Sequence, residues 1–251
     1  MKLQYASDLH LEFPENEKYL LRHPIIPGGD ILILAGDIVP FSKMDEHSGF
    51  FDFVSDNFPV TYWLPGNHEY YHSDIGEINS HMDEKIRENV LLVNNTTVRV
   101  ENINLIFSTL WTKIGFTNRS EVQMRLSDFH VIRNMGKLLT IQGYDLLHEQ
   151  CLSFVKEELK ISGRRKIVIT HHVPTFLNYP EEYKGDPLNE AFGVELSDLI
   201  RETGPDFWIF GHHHSNKHDF RLGETFLVSN QLGYVIYHEQ AGFERMKVIE
   251  L

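Results

Sequence analysis

Short, almost uninterrupted apolar runs recur along this chain, and most of them stop at an Asp, Asn or His. Residues 3–6, 31–35, 60–64, 103–109, 166–170 and 207–210 form such runs. Their brevity and lack of polar alternation predict strands buried on both faces. Helical patterning is predicted over 73–88 with Ser73 as N-cap, over 145–160 before Gly163, and over 194–202 before Gly204-Pro205. The segment 98–109, with its polar Glu101-Asn102-Ile103-Asn104 turn, and the tail segments 225–228, 234–238 and 246–249 predict antiparallel pairing. An α/β (α+β) fold follows, with a two-sheet core and helices outside. No repeat or low-complexity linker interrupts the pattern, so a single domain over 1–251 is expected.

The residues that close these runs carry the candidate chemistry. They are Asp8-Leu9-His10, Gly36-Asp37, Gly66-Asn67-His68-Glu69, Thr170-His171-His172 and Gly211-His212-His213-His214. Their shared position at strand ends would bring metal-ligand side chains to one rim, where they could hold two cations. Asp8 and His10, at i and i+2, point to one side of an extended chain, and the same rule pairs His212 with His214 and sends His213 elsewhere. The two oxygens of Asp37 suit it to bridge two cations. Gly66 permits a tight turn, Asn67 offers a neutral carbonyl oxygen and His68 can donate a proton. Glu69 suits an orienting role behind these groups. Because side chains alternate along a strand, one of His171 and His172 should face the site, and His171 is preferred. Each cluster alone has a plain alternative: Asp8 or Asp37 as a turn cap, His10 at the surface, three histidines as a nonspecific surface tract. Their ordered recurrence after buried strands favours a site.

Charge narrows the substrate. With 23 basic and 36 acidic residues the chain carries a net charge of -13, which opposes a nucleic-acid backbone and favours a small substrate. The single cysteine, Cys151, excludes an intrachain disulfide and a Cys-rich zinc site, and its helix-like setting suits a buried structural thiol. The amino terminus lacks a signal-peptide pattern and no apolar run reaches membrane-spanning length, so a cytoplasmic protein without membrane contact is expected. Phe50, Phe51 and Phe53 suit a core or an interface equally, which leaves the oligomeric state open.

Together the five blocks resemble the calcineurin-like metallophosphoesterase family, whose pattern runs Asp-x-His, Gly-Asp, Gly-Asn-His-Glu/Asp, His, Gly-His-x-His. The resemblance spans about Tyr5 to Ser215. It implies a four-layer sandwich of two mixed β-sheets flanked by helices, with the metal site at strand C-terminal ends. It further implies that Asp8, His10, Asp37 and His214 hold one metal and that Asp37, Asn67, His171 and His212 hold the other. His68 would then be no ligand but would contact the phosphate and assist the leaving group. The strings Ser7-Asp8-Leu9-His10-Leu11-Glu12-Phe13, Thr170-His171-His172-Val173-Pro174 and Tyr183-Lys184-Gly185-Asp186-Pro187-Leu188 are similar to a small bacterial or phage-type branch. The last of them is expected near the active-site mouth. Members of that branch often carry Asn-Pro-Arg-Gly-Tyr where this chain has Asn230-Gln231-Leu232-Gly233-Tyr234, so a phosphate-contacting Arg is missing and Lys184 or Arg125 is the candidate substitute.

The implied reaction is hydrolysis of a phosphodiester or phosphomonoester by in-line attack of a metal-bridging hydroxide. The nitrogen and oxygen donor set suits manganese, iron, zinc, cobalt or nickel, with manganese the default. Activity should fall as pH drops below the histidine range and the ligands protonate. A small phosphorylated molecule such as a nucleotide is the expected substrate. A nuclease and a noncatalytic scaffold of the same fold are the alternatives; the first needs a basic groove that the sequence does not display. Segment 111–143 reads equally as a surface insertion or a substrate cap, with His130 outside any motif.

Overall fold

The computed structural model describes residues 1–77, 80–216 and 218–251. Its first half contains β1 (Lys2–Ala6), α1 (Pro14–Arg22), β2 (Ile31–Ala35), α2 (Ser48–Asn57), β3 (Val60–Leu64), β4 (Met82–Arg87), β5 (Val90–Asn94), β6 (Thr96–Val100) and β7 (Ile103–Ser108). There follow α3 (Arg119–Arg125), α4 (Asp128–Val131), a small hairpin of β8 (Arg133–Asn134) and β9 (Lys137–Leu138), and α5 (Ile141–Lys160). The remainder comprises β10 (Arg165–Thr170), α6 (Asn189–Phe192), α7 (Ser197–Thr203), β11 (Phe207–Phe210), β12 (Phe220–Leu222), β13 (Thr225–Ser229) and β14 (Val248–Glu250).

Two six-stranded mixed sheets form the centre, ordered β14-β1-β2-β3-β5-β4 and β12-β13-β11-β10-β7-β6. In the first, β1, β2, β3 and β5 are successively parallel. In the second, β7, β10, β11 and β13 are parallel. Parallel strands deliver their carboxyl ends to a common rim, which is why motifs far apart in sequence meet.

Alternation within the buried runs divides the core into layers. Leu3, Tyr5, Ile31, Ile33, Ala35 and Leu64 face Leu105, Phe107, Ile167, Ile169 and Ile209 between the sheets. Leu32, Leu34 and Trp63 point the other way and pack with Leu20 of α1 and Phe51 and Val54 of α2. Ile106, Val168 and Trp208 pack outward against Val155 and Leu159 of α5 and Ile200 of α7. The result is helix, sheet, sheet, helix. The central strands β2, β3, β7, β10 and β11 are largely apolar on both faces because both faces are covered.

The six apolar runs all form strands, and the 98–109 segment forms the β6–β7 hairpin. Helix α5 begins four residues before its predicted start, capped by the Thr140 hydroxyl, and buries Ile141, Tyr144, His148, Cys151, Val155 and Leu159 along one stripe. Cys151 is thus a buried core thiol. Gly204, left-handed at φ 54°, ends α7 as predicted. The helix expected over 73–88 does not form. Ile75–Glu77 make a short 3-10 turn and Met82–Arg87 make the edge strand β4, antiparallel to β5, while residues 78 and 79 lie outside the described residues. Backbone pairing to β5 overrides the helical preference of the Asp83-Glu84-Lys85 stretch. The tail also departs from expectation: β13 lies parallel to β11 as well as antiparallel to β12, and 234–238 contains a 3-10 turn at Val235–Tyr237. The antiparallel pairing of β13 with β12 and of β14 with β1 is as expected.

Candidate metal centre

Apolar strands fix the backbone up to the rim, and the motif residues then leave the extended conformation. Asp8, His10, Asp37, His212 and His214 all have positive φ, from 48° to 79°. Non-glycine residues in this region carry strain that the surrounding structure must hold in place. The motif loops hold one another: Asp8 N–H donates to Gly36 O, His10 N–H to Asp37 O, Gly211 N–H to His171 O and Gly233 N–H to Asp8 O. The His212 N–H donates to the Asp8 carboxylate at 3.0 Å. Asp8 and His10 therefore meet through left-handed turns and not through alternation along an extended chain, as their spacing had suggested. The same turns separate His212 and His214, which join different clusters.

Those clusters share one residue. Donor atoms of Asp8, His10, Asp37 and His214 lie within 4.8 Å of one another, as do those of Asp37, His171 and His212. Asp37 belongs to both, and its carboxylate lies 3.3 Å from His171 Nε2 and 3.8 Å from His10 Nε2. Neighbouring nitrogens converge, with His10 Nε2 and His214 Nε2 3.0 Å apart and His171 Nε2 and His212 Nδ1 also 3.0 Å apart. Asn67 and His68 complete the set on the adjoining turn, and His68 N–H donates to Asp37 Oδ1 at 2.9 Å.

The imidazoles are oriented from behind. His171 Nδ1 faces the Ala35 carbonyl at 3.0 Å, His214 Nδ1 faces Glu239 at 2.7 Å and His10 Nδ1 faces Glu12 at 3.2 Å. Each partner only accepts, so each Nδ1 carries a proton and each Nε2 is the nitrogen turned inward, able to bind a metal once any proton on it is released. Asn67 Nδ2 donates to Asp128 at 2.9 Å, leaving Asn67 Oδ1 buried without a partner. An unsatisfied buried acceptor beside convergent carboxylates and imidazoles fits divalent cations of the nitrogen- and oxygen-preferring kind.

Glu69 supports the ligands without touching His68. Its carboxylate accepts from the N–H groups of Asp37, Ile38 and Gly66 and from Trp63 Nε1, over 2.6 to 3.1 Å. Burial and the Asp37 charge push it up to about 8, against the pull of those donors. Gly66 is required where it stands, because a Cβ there would overlap Asp37 Oδ1 and lie 2.7 Å from the His171 ring.

His68 sits in a frame of its own. Nδ1 lies 3.0 Å from Glu12, the ring stacks on Tyr71 at 4.0 Å, and Nε2 lies 3.4 Å from the Tyr234 hydroxyl and 4.0 Å from Asp37. Burial disfavours its cation, but the charges of Asp37 and Glu12 outweigh this and raise its pKa. For Asp37, burial is outweighed by His171 and His68, which hold the carboxyl well below its usual range.

His172 is buried, with Nδ1 at the Thr109 carbonyl and its ring against Trp111 and His212, and it belongs to neither cluster. His213 turns to Gln231. His130 is exposed and bonds to the Met124 carbonyl. The 183–188 loop does reach the mouth through Tyr183, Asp186 and Leu188, and Arg125 lines the same cavity, whereas Lys184 pairs with Glu181 away from it. Sequence reasoning missed roles for Glu12, Asp128, Tyr71, Tyr234 and Glu239. Glu12 follows His10 by two residues and so carried a signal; Asp128 and Glu239 arrive from separate loops with no motif to mark them.

A two-sheet α/β fold with His/Asp clusters on the sheet rims defines the class of phosphoesterases with a candidate metal site. Residues 1–216 match the calcineurin-like phosphoesterase family model, and the chain belongs to that family. It is 31% identical to uncharacterized protein L509 of Acanthamoeba polyphaga mimivirus, over 99% of this chain and 96% of that protein. Its fold is similar to that of phosphopantetheinyl hydrolase from Mycobacterium tuberculosis, with a TM-score of 0.73 at 12% identity, covering 99% of this chain and 95% of that one. Among the described residues no helix is long and apolar enough to cross a membrane.

Proposed function

We propose that the protein is a dinuclear metal-dependent phosphoesterase acting on a small phosphorylated molecule, with a nucleotide among the candidates. The observation that carries this reading is the membership of Asp37 in both ligand clusters. Asp8, His10, Asp37 and His214 would hold one cation, and Asp37, Asn67, His171 and His212 the other. Two such cations would supply charge neutralisation on the phosphoryl oxygens and a water activated near neutral pH. Manganese is the first metal to supply, since the donor set admits several.

The chain's own groups divide the remaining work. Asp37 holds the two clusters together. His68, whose pKa Asp37 and Glu12 raise, lines the cavity, where Nε2 can give a proton to the departing oxygen. Glu12 fixes that proton geometry by holding Nδ1. The positioned His68 and unpartnered Asn67 Oδ1 favour an enzyme over a scaffold, and the net charge of -13 disfavours a nuclease.

The test is hydrolysis of bis(p-nitrophenyl) phosphate and p-nitrophenyl phosphate by metal-stripped protein resupplied with manganese. Turnover that depends on manganese and vanishes in Asp37→Asn supports the reading. Absence of turnover in protein that holds about two metal ions per chain would count against it.

A further inference from the structure

The cavity over the centre has a volume of about 520 Å³, within the range of small-molecule sites. Its apolar lining is arranged on both clusters. Beside the first, Phe13 and Tyr234 meet edge to face at 5.3 Å, and Tyr234 lies 4.6 Å from the His10 ring and 4.5 Å from the His214 ring. Beside the second, Phe192 lies 4.5 Å from the His212 ring, and Tyr183 and Leu188 line the same cavity.

Its charge is equally informative. Among the described residues Arg125 is the one Lys or Arg of the lining, and its guanidinium is spent on Glu121 at 2.6 Å and Asp186 at 3.0 Å. Asp37, Asp186 and Glu239 line the same wall, Asp37 within both clusters, Asp186 paired with Arg125 and Glu239 with His214. Beyond the two candidate metal ions and His68, no free side-chain cation of the described lining meets the extra charge of a dianionic monoester or a polyphosphate. A diester carries a single charge and two organic arms.

We infer that the substrate is a small phosphodiester monoanion bearing an apolar or planar group on each arm, an inference that rests on the phosphoesterase reading above. The leaving arm lies against Phe13, Tyr71 and Tyr234, because His68 Nε2 opens toward the Tyr234 hydroxyl. The retained arm lies against Phe192. Hydrolysis breaks one P–O bond as water adds its oxygen to phosphorus; the departing oxygen takes the proton, and the retained arm leaves as a phosphomonoester.

Three esters with one leaving group separate the terms: bis(p-nitrophenyl) phosphate, methyl p-nitrophenyl phosphate with its small second arm, and p-nitrophenyl phosphate with its added charge. With manganese-loaded full-length protein, and each kcat/KM divided by the uncatalysed rate, the bis-aryl ester should lead both others by about tenfold or more, the scale of burying one aromatic group. Phe192→Ala should pull the bis-aryl to methyl ratio toward one, and the volume-conserving Phe192→Leu should retain part of it. A normalised preference for the monoester, or a ratio unmoved by Phe192→Ala in folded, metal-loaded protein, overturns the substrate assignment. No turnover of any of the three esters despite bound metal overturns the phosphoesterase reading itself and the substrate class with it.

Discussion

The Asp128 carboxylate accepts the side-chain N–H of Asn67 at 2.9 Å, and that contact decides which end of the amide looks into the centre. Both residues are buried. Asp128 also accepts from the Tyr71 hydroxyl at 2.9 Å, and Tyr71 stacks on His68. One carboxylate from the 111–143 segment therefore aims a candidate ligand and braces the candidate acid, so that segment is neither plain surface insertion nor simple cap.

Asp128→Ala should free the Asn67 amide and weaken metal binding about 10–100-fold, the usual effect of removing a partner behind a ligand. Asp128→Asn can keep an acceptor toward Asn67 and should bind metal nearly as well as the parent. Manganese titration by calorimetry, with circular dichroism to verify folding, checks both. Equal affinity in Asp128→Ala would remove this role.

His68→Gln should lower kcat by about 10²–10⁴-fold, the span of general acid catalysis, and keep its metal content. Asp37→Asn should lose metal and activity together, because both clusters pass through that carboxylate. Elemental analysis beside the diester assay distinguishes the two patterns.

The metal-free protein should show an inverted pH dependence. Burial disfavours protonation of His171 and His214, yet Asp37 and Asp8 raise the first to about 9, and Asp8 and Glu239 raise the second to about 10. Both are raised above the unfolded value of about 6.5, so their contribution to stability is complete below that pH and is lost as pH climbs toward 9 to 10. Tm of stripped protein should fall over this window. Metal competes for the same nitrogens, so manganese binding at pH 7 should release protons and tighten as pH rises. Calorimetry in buffers of different ionisation enthalpy reads the release, and heats independent of buffer would contradict it.

Gly66→Ala should destabilise the fold by about 1–3 kcal/mol, the range for forcing extra atoms into a packed site, since the new methyl meets Asp37 and His171. Urea denaturation measures the loss. Stability and metal affinity equal to the parent would show that the turn can relax.

Buried strands and the residues that close them were readable because both obey local rules: apolar runs need cover on two faces, and Asp, Asn and His at strand ends have few other reasons to recur. Residues 73–88 were misread because helical preference is a local property, whereas Met82–Arg87 pairs with Val90–Asn94 across an edge that sequence does not display. The grouping of His214 with Asp8 and of His212 with His171 was reached through family resemblance, while the spacing argument gave the wrong reason, because left-handed turns replace the extended chain there.

The sequence by itself determined the two-sheet framework, the common rim and the identity of the candidate donors, since strand burial and donor chemistry are written residue by residue. Only the tertiary structure decided how those donors are aimed. Glu12, Asp128 and Glu239 reach His68, Asn67 and His214 from separate loops, and a hydrogen bond of about 3 Å between such loops depends on the packing of the whole sheet pair and on no local pattern.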